Sequence, residues 1–474
     1  MTRVVEAIST LHDLVTTPPV SRLADAFSAA GYELALVGGP VRDAFLGRPV
    51  NDLDFTTSAS PEQIEKVVAP LAEAVWDVGR AFGTIAAKID DRVVEITTYR
   101  ADSYDGITRK PTVEFGDTLD GDLHRRDFTM NAMALRIPDE VLVDPCGGLD
   151  DLLASRLTTP SAPEVSFGDD PLRMLRAVRF VSQIGVGIAP ETWEAMVSMA
   201  PKIEQISAER VRDELSRLLQ TNQPRAGVDA LVQSGLATFV LPELAALRDE
   251  SDEHGRHKDI YEHSLTVLDQ AIALEKERWG NDSADVVMRL AALLHDIGKP
   301  NTKKIEGGHV TFYHHDVVGA KLAKKRLTAL RFDQDTVNRV ARLIELHLRF
   351  FGYSDQAWSD SAVRRYVRDG GAELEHLHIL TRADVTTRNQ KKAARLQGAY
   401  DELEKRIAVL REQEELDSMR PELDGEEIMA TLNLRPGPSV GKAYRFLLDL
   451  RLDEGIVGKE EATARLRAWW NDQS

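Results

Sequence analysis

The sequence predicts an α+β protein, with a mixed sheet in its first third and helices in the remainder. Between residues 22 and 150, short apolar runs rich in β-branched residues alternate with helical segments. From Asp169 onward, Leu, Val and Ala recur at helical spacing between short turns, and strand signals nearly vanish. A chain of 474 residues exceeds one hydrophobic core. We therefore expect about two to four domains.

The strands predicted in the first part cover residues 33–37, 52–57, 84–89, 93–98, 112–115 and 132–137. A polar stretch at residues 249–259 and a break near residue 395 indicate boundaries in the helical part. The predicted domains are residues 1–150, 151–248 and 249–395, followed by a helical tail over residues 396–474.

The amino-acid composition indicates a soluble globular protein. A hydrophobic content of 43% and a charged content of 29% are typical of soluble globular chains. No apolar run approaches the roughly 20 residues of a membrane span, and the first residues lack a secretory layout. Cys146 is the only cysteine, which excludes an internal disulfide and fits a reducing cytoplasm. The net charge of −18 argues against indiscriminate nucleic-acid binding, so RNA contact requires local basic patches.

The segment LALVGGPVRDAFLGRPVNDLDF, residues 34–55, carries the clearest chemical signal. Asp52 and Asp54 fall in an extended run, where side chains alternate, so both are expected on one face. Two carboxylates on one face repel each other unless a cation lies between them, and their hard oxygen atoms suit Mg²⁺. The sequence therefore predicts a Mg²⁺ site at Asp52 and Asp54.

The same segment predicts a phosphate-binding turn. Gly38 and Gly39 end an apolar strand and precede a short helix predicted at residues 41–46. Glycines let a phosphate approach main-chain N–H groups at a helix start, and Arg42 can neutralise phosphate charge. Each motif alone is common in solvated turns and strand ends. Together a metal site, a phosphate cradle and an arginine indicate nucleotidyl transfer from a nucleoside triphosphate.

This combination resembles the signature of the polymerase-β nucleotidyltransferase superfamily, and specifically the bacterial class II tRNA nucleotidyltransferase and poly(A) polymerase family. Further segments match that family in order: RRDFTMNAMAL (125–135), DPCGGLDDL (144–152), DDPLRMLRAVRF (169–180) and ISAERVRDEL (206–215). Asp169-Asp170 stands where the family usually has Glu-Asp. The resemblance covers about the first half of the chain. It implies an N-terminal palm with catalytic Asp52 and Asp54, then a helical neck over residues 151–248.

The segment DDPLRMLRAVRF places Asp170, Arg173, Arg176 and Arg179 near one face of a predicted helix. Three arginines there repel each other unless anions lie nearby; the alternative is an exposed basic helix paired with acids elsewhere. A carboxylate accepts from the exocyclic amine of cytosine or adenine, and an arginine donates to ring acceptors. Asp170 and Arg173 are therefore expected to read a base edge. The resemblance implies that they select CTP and ATP, and that Arg176 and Arg179 bind the nucleotide.

Three further polar residues carry predictions of different kinds. The resemblance implies that Arg126, in the RRDF segment, helps bind the nucleotide. Asp127 beside it either shares that contact or caps the following helix. Glu95, on the strand VVEITTY, is either a third carboxylate near the metals or the partner of an arginine.

The second half of the chain contains histidines and aspartates in helical contexts that indicate a second metal site. A lone histidine on an apolar helix is usually a packed side chain, but an adjacent His-Asp pair can bind metal through imidazole and carboxylate. The pattern resembles the HD phosphohydrolase superfamily. That resemblance implies phosphoester hydrolysis with a divalent transition metal or Mg²⁺. The implied ligands are His263, His295, Asp296 and Asp384, with His315 and His347 where two-metal members have extra ligands.

The sequence as a whole predicts a cytoplasmic enzyme that adds C, C and A to the 3′ end of tRNA from CTP and ATP, without a template. Residues 321–349 are rich in Lys and Arg, and they either follow RNA phosphates or form a solvated helix face. Three alternatives stay open: a poly(A) polymerase, an enzyme adding only CC or only A, and an HD phosphohydrolase with a nucleotide-sensing transferase half. The acidic C-terminus disfavours the first, and the intact Asp52/Asp54 pair disfavours the last.

Overall fold

The structure is a computed structural model that describes residues 2–79, 83–103, 112–115, 118–249, 260–306, 309–350, 358–387, 389–414 and 420–472. The chain divides into two compact units. The first unit is Met1–Leu218 with Ala226–Val240, and the second is Leu219–Arg225 with Leu241–Ser474. The structure divides into two units, whereas the sequence predicts four domains, and the bounds of those four domains stay a prediction.

The first unit contains the sheet strands and a set of mostly short helices. Its strands are β1 Leu34–Val37, β2 Asp54–Thr57, β3 Ala74–Gly79, β4 Thr84–Ile89, β5 Arg92–Thr98, β6 Arg100–Ser103, β7 Thr112–Phe115, β8 Ala134–Ile137, β9 Val141–Val143, β10 Arg156–Leu157 and β11 Gly187–Ile188. Its helices are α1 Thr2–Thr16, α2 Val20–Ala29, α3 Gly39–Phe45, α4 Pro61–Val68, α5 Leu119–His124, α6 Gly148–Leu153, α7 Pro163–Asp169, α8 Leu172–Ile184, α9 Pro190–Met199, α10 Ala208–Leu219, α11 Arg225–Gln233 and α12 Ala237–Val240.

A seven-stranded mixed sheet organises this unit, in the order β3-β4-β5-β2-β1-β8-β9. Among the described strands of this sheet, β2 and β5 are the one parallel pair, and their register pairs Asp54 with Glu95. All four side chains of β1 are buried, because it lies between two neighbours near the middle of the sheet. Helix α1 buries Ala7, Leu11 and Val15, which are four residues apart and share one face.

The second unit consists, in its described residues, of helices and one short hairpin. Its elements are α13 Pro242–Ala245, α14 Ile260–Trp279, α15 Val286–Leu294, α16 Lys299–Thr302, β12 Lys304–Glu306, β13 His309–Thr311, α17 His315–Ala329, α18 Gln334–Leu346, α19 Asp360–Gly370, α20 Leu374–Ala383, α21 Gln390–Glu414, α22 Gly425–Leu432, α23 Pro438–Glu454 and α24 Lys459–Asn471. Helix α15 is buried along nearly its whole length, which explains a sequence that is apolar except for Arg289, and this arginine pairs with buried Glu275 at 3.0 Å.

The α+β prediction is confirmed, and the predicted strands are observed with small shifts. Strands β4 and β7 have the predicted bounds, whereas β2 begins two residues late, at Asp54. Strand β3 was not predicted, because it is an edge strand with Trp76 40% exposed and a register shift before Gly79. The β12–β13 hairpin also escaped prediction, since three residues per strand give too short a pattern. Within the described residues, no helix is long and apolar enough to cross a membrane.

Candidate active site

The turn after β1 places the main chain of Gly38 next to the side chain of Arg126. Gly38 has φ +74°, a conformation that side-chain-bearing residues rarely adopt, and α3 begins at Gly39. A Cβ at Gly38 would lie 3.4 Å from Arg126 Nη1, so a larger residue would crowd this arginine. The predicted glycine turn is therefore present, with Arg126 directly beside it.

Four carboxylates, those of Asp52, Asp54, Asp91 and Glu95, line one cavity of about 530 Å³ in the first unit. Asp54 and Glu95 are paired across β2 and β5, Asp52 precedes β2, and the intervening Leu53 is buried. Burial, followed by the charges of Glu95 and Asp52, raises the pKa of Asp54 to about 6. The cavity is lined by four carboxylates and one arginine, Arg92, and its donors are hard oxygen atoms. These donors fit a divalent cation such as Mg²⁺.

Two arginines predicted to bind nucleotide are held by protein acceptors. Arg42 is 6% exposed, and its Nη1 donates to Asn131 Oδ1 at 2.6 Å. Arg126 Nη2 donates to Asp122 Oδ2 at 2.9 Å. Burial alone would raise the pKa of Asp122, but Arg126 and Arg125 lower it below its usual range. Arg126 and Arg42 also lower the pKa of Asp54, so they act electrostatically on the carboxylate cavity.

Asp170 and Arg173, the predicted base-reading pair, lie at the start of α8. Asp170 Oδ1 accepts from the Leu172 N–H at 3.1 Å. Arg173 Nη1 donates to Ser166 Oγ at 2.8 Å, and its Nη2 donates to the Arg125 carbonyl at 2.6 Å. Since Arg125 precedes Arg126 in the chain, these contacts link the base-reading pair to the turn at Gly38.

The remaining arginines of α8 face protein carboxylates. Arg176 donates from Nε and Nη2 to Asp127 Oδ2, at 2.8 and 2.6 Å. Arg179 donates from Nε to buried Glu214 at 2.7 Å. The guanidinium carbon of Arg179 also lies 4.3 Å from the centroid of the Phe180 ring. The anions that the arginine spacing requires are thus supplied in part by the chain itself. Nucleotide binding by Arg176 and Arg179 stays a prediction.

The six residues predicted as a second metal site converge in the second unit. They form two groups of three, His263 with His295 and Asp384, and Asp296 with His315 and His347. Asp296 joins the groups, because its Oδ2 lies 3.2 Å from His295 Nε2 and its Oδ1 lies 3.3 Å from His315 Nε2. This arrangement fits a carboxylate that bridges two cations.

Hydrogen bonds at Nδ1 orient the imidazole rings of these histidines. Nδ1 lies within hydrogen-bond distance of a main-chain carbonyl in His295, His315 and His347, at 2.9, 2.8 and 2.6 Å. If Nδ1 carries the proton, as the carbonyl acceptors require, Nε2 keeps its lone pair for the centre of the cluster. In His263, Nδ1 lies 3.0 Å from Thr386 Oγ1 instead.

Charge at this cluster also favours a cation. Burial alone would lower the pKa of His295, but Asp296 and Asp384 raise it to about 10. Burial lowers the pKa of His347 to about 4 and keeps that imidazole neutral. The carboxylates therefore favour a positive charge at the centre, which a metal ion would supply. Lys299 Nζ, 2.7 Å from Asp296 Oδ2, contributes one such charge.

The basic stretch at residues 321–349 divides into two kinds of side chain. Lys321, Lys324 and Lys325 on α17 are exposed. By contrast, Arg326 pairs with Glu243 at 2.8 Å and Arg339 pairs with Glu373 at 2.6 Å. These three lysines have no acidic side chain at ion-pair distance within the described parts of the chain. The two interpretations of this stretch both stay open.

Three family models match consecutive parts of the chain. They are the poly A polymerase head domain over residues 34–158, the probable RNA and SrmB-binding site of polymerase A over residues 185–247, and the HD domain over residues 260–389. The first match contains the glycine turn and the carboxylates, and the third contains all six candidate metal ligands of the second unit.

Curated relatives match nearly the whole chain. An A-adding tRNA nucleotidyltransferase of Deinococcus radiodurans is 33% identical over 446 residues, 92% of this chain and 95% of that protein. A CC-adding tRNA nucleotidyltransferase of Thermus thermophilus is 32% identical, over 91% of this chain and 93% of that protein. The chain belongs to the bacterial tRNA nucleotidyltransferase family. It is a nucleotidyltransferase with an HD domain in its second half, as the sequence predicted.

Other members of the tRNA nucleotidyltransferase family match more locally or by fold. The CCA-adding enzyme of Bacillus subtilis is 40% identical over 208 residues, which is 44% of this chain and 51% of that enzyme. A solved structure of the Bacillus stearothermophilus CCA-adding enzyme in complex with CTP has the same fold, with a TM-score of 0.68 and 24% identity. That alignment covers 96% of this chain and 99% of the other.

Sequence reasoning missed the residues that hold the predicted site residues in place. Asn131, Asp122 and Glu214 receive the hydrogen bonds of Arg42, Arg126 and Arg179. All three lie in or next to the sequence segments that match the family, and this position could have marked them as residues of the site. For Glu95 the sequence leaves two roles open, and its register opposite Asp54 supports the role of third carboxylate.

Proposed function

We propose that this chain adds C, C and A to the 3′ end of tRNA, using CTP and ATP and no nucleic-acid template. The hydrogen bond from Arg173 Nη2 to the Arg125 carbonyl carries this proposal. It joins the base-reading pair of α8 to the segment whose next residue, Arg126, lies beside the Gly38 turn. Selection of a base and placement of its phosphates therefore depend on one connected set of contacts in the first unit.

The contacts of Asp170 and Arg173 leave them able to read a base. A carboxylate offers about four lone-pair sites, and a guanidinium offers five N–H groups. Asp170 retains lone pairs for the exocyclic amine of cytosine or adenine. Arg173 uses Nη1 and one N–H of Nη2, so Nε and the other Nη2 hydrogen remain for a ring acceptor. Guanine and uracil present the opposite order of donors and acceptors.

Mg²⁺ is the cofactor that we propose for the carboxylate cavity, held by Asp52, Asp54 and Glu95. When bound, it would supply Lewis acidity toward the attacking 3′-hydroxyl and the leaving pyrophosphate. The chain itself contributes position: the Gly38–Gly39 turn accommodates phosphates, and Arg126 and Arg42 offset their charge. The pKa of Asp54 is raised by burial and then by the charges of Glu95 and Asp52, and a bound cation would offset both effects, which supports the proposal.

The set of nucleotides added is the part of the proposal that needs the sharpest test. Purified protein would be incubated with tRNA transcripts that lack one, two or all three terminal nucleotides, with each nucleoside triphosphate singly and in mixtures. Sequencing of the products gives the added bases. We expect C on the two shorter transcripts and A only after CC. Addition of A alone, of CC alone or of a long A tail would each replace CCA addition by one of the alternatives.

We also propose that the six-residue cluster of the second unit, the HD cluster, binds a divalent metal and hydrolyses phosphoesters. The bridging position of Asp296 between two ligand groups supports this second activity. Its donor set of four imidazoles and two carboxylates suits a divalent transition metal or Mg²⁺. Metal analysis of purified protein, with phosphatase and cyclic phosphodiesterase assays, tests it.

Contact with the tRNA body is proposed for the HD domain and the tail at residues 396–474. The exposed lysines of α17 can contact RNA phosphates. A local basic patch is sufficient for such binding even in a chain whose net charge is negative. Such an activity belongs in the cytoplasm, which the use of a single cysteine also favours.

A further inference from the structure

Arg210 contacts the base-reading carboxylate from a different helix. It lies in the first turn of α10, where its N–H is 3.4 Å from Ser207 Oγ. Its Nη2 donates to Asp170 Oδ2 at 2.8 Å, across 40 residues of sequence. The other oxygen, Oδ1, accepts from the Leu172 N–H at 3.1 Å. Each oxygen of Asp170 therefore has one partner, and the two partners belong to different elements.

Two anchors restrict a carboxylate far more than one. With the Leu172 N–H alone, the Asp170 side chain could turn about its Cβ–Cγ bond, which is a broad torsion. The hydrogen bond from Arg210 fixes the plane of the carboxylate, so the remaining lone pairs point in set directions. Arg173 is fixed in a similar way by Ser166 and the Arg125 carbonyl. Both members of the reading pair are thus oriented before a nucleotide arrives.

We propose that Arg210 is a positioning residue for base selection: it holds the Asp170 carboxylate in the orientation that accepts an exocyclic amine. This inference rests on the proposed function, because it assumes that Asp170 reads the base. Arg210 is half exposed, with a side-chain exposure of 50%, and Asp170 is 31% exposed. The pair is therefore accessible to an incoming nucleotide, and its net contribution to folding is small, as for other exposed ion pairs.

Loss of Arg210 has a specific kinetic consequence. A carboxylate that turns freely offers a weaker acceptor to cytosine and adenine, and it no longer excludes bases with another donor pattern. The Michaelis constants for CTP and ATP should rise, while the maximal rate changes little, because the catalytic carboxylates are untouched. Misincorporation of UTP and GTP should rise by about tenfold, within the range for one bidentate base contact.

The test compares three variants of the full chain, Arg210→Gln, Arg210→Lys and Arg212→Gln. Arg212 is the matched control, since it lies on the same helix but pairs with the adjacent Asp213 at 2.9 Å. Rates with all four nucleoside triphosphates would be measured on tRNA lacking its three terminal nucleotides, with a melting curve for each protein. We expect relaxed selection in Arg210→Gln, partial recovery in Arg210→Lys and wild-type selection in Arg212→Gln.

The possible results separate the inference from the proposed function. Unchanged selection in Arg210→Gln, in an enzyme whose wild type rejects UTP and GTP, would overturn the role of Arg210. An equal loss of maximal rate with every nucleotide, without recovery in Arg210→Lys, would also overturn it and leave a structural role. A wild type that does not prefer CTP and ATP would instead refute the proposed function. If Arg210→Gln melts at a lower temperature than wild type, the Arg210→Lys variant replaces it in the test. Arg210→Lys is then compared with Asp170→Ala and with the double variant Asp170→Ala/Arg210→Lys. If Arg210 acts through Asp170, the effects of the two single changes on nucleotide selection must be non-additive.

Discussion

Asp127 and Arg176 form an ion pair in which two guanidinium nitrogens, Nε and Nη2, donate to one carboxylate oxygen at 2.8 and 2.6 Å. The other oxygen of Asp127 accepts from the Phe128 N–H at 2.8 Å and from Asn131 Nδ2 at 3.1 Å. Asn131 in turn accepts from Arg42 at 2.6 Å. One carboxylate thus connects the arginines of α3 and α8. The alternative of a helix cap at Asp127 is wrong, because the following residues form only a short 3-10 turn, Thr129–Asn131, which begins after Phe128 and has no side-chain cap.

Breaking this pair should destabilise the protein. The Asp127 side chain is 10% exposed, and removal of one partner of a buried pair leaves the other charge without compensation. We expect Asp127→Asn to lower the free energy of unfolding by about 3 kcal/mol. A double-mutant cycle with Arg176→Gln measures the coupling. A coupling energy near zero would show that the pair does not act as a unit.

The same pair predicts an acid-sensitive contribution. Burial alone would raise the pKa of Asp127, but Arg176 and the hydrogen bonds from Asn131 and Phe128 lower it to about 2. The folded pKa is below the ordinary value, so the contribution is present above about pH 4 and is lost as pH falls toward 2. Urea unfolding between pH 5 and 2.5 should therefore show a smaller loss of stability in Asp127→Asn than in wild type. Equal losses in the two proteins would contradict the assignment.

Neutralising either aspartate of the carboxylate cavity should abolish nucleotide addition and leave the fold intact. Asp52→Asn and Asp54→Asn remove a proposed Mg²⁺ ligand, at a cost of roughly 4 kcal/mol or more in activation free energy. Single-turnover addition to tRNA measures the loss. Asp25→Asn on the exposed face of α2 is the control and should match wild type. Near-normal addition by either cavity variant would remove that residue from the active site.

Removal of either base-reading side chain should relax nucleotide selection. In Asp170→Ala and Arg173→Ala, the hydrogen bonds to the base edge disappear, so discrimination against UTP and GTP should fall by about 1–3 kcal/mol. Competition between nucleoside triphosphates, read out by product sequencing, gives the ratio. Arg173→Ala should also lose stability, since Arg173 contacts the Arg125 carbonyl, and melting curves must accompany the assay. Wild-type preference in both variants would refute template reading by this pair.

The sequence was sufficient for features that depend on local pattern. The turn at Gly38 and Gly39 follows from two glycines that end an apolar run. The strand expected to contain both Asp52 and Asp54 begins only at Asp54, so strand alternation does not apply to Asp52. The acids that face Arg176 and Arg179 lie 49 and 35 residues away, so helical spacing alone could indicate a need for anions but not their source. Glu95 shows the same limit, because its place opposite Asp54 depends on a parallel strand pairing.

A buried histidine outside both sites predicts pH-dependent stability. His378 is 3% exposed and stacks on Tyr366. Among the described residues neither ring nitrogen makes a hydrogen bond, although Nδ1 lies 3.5 Å from Glu404 Oε1. Burial lowers the pKa of His378 to about 4. The folded pKa is again below the unfolded one, so stability is complete above about pH 6.5 and falls as pH drops toward 4. At pH 5 the loss should be about 1–2 kcal/mol.

His378→Phe keeps the ring but cannot take up a proton. Its free energy of unfolding should therefore decrease less than that of wild type between pH 7.5 and 5, as measured by urea unfolding. The comparison is between the two slopes, since other groups titrate in both proteins. Parallel slopes would show that His378 is already protonated or is solvated in the folded chain.

Changes in the HD cluster should remove metal and leave nucleotide addition in place. His295→Ala and Asp296→Ala each delete one of the six proposed ligands, and Asp296 is the group shared between the two halves of the cluster. Metal content should drop, and any hydrolysis of 2′,3′-cyclic phosphates or phosphomonoesters should disappear. Addition should persist, because its proposed metal ligands and base readers all lie before residue 180.

The control for that experiment is His314→Asn. His314 is exposed beside the ligand His315 and has φ +63°, a conformation that asparagine tolerates. This variant should match wild type in metal content, phosphoesterase activity and melting temperature. Plasma mass spectrometry, enzyme assays and melting curves measure these three quantities. If addition is lost in Asp296→Ala while its melting is unchanged, the two activities are coupled, and the HD cluster influences transfer beyond stability. If wild-type protein takes up no divalent metal, the hydrolase proposal is wrong, and the histidines are packed side chains.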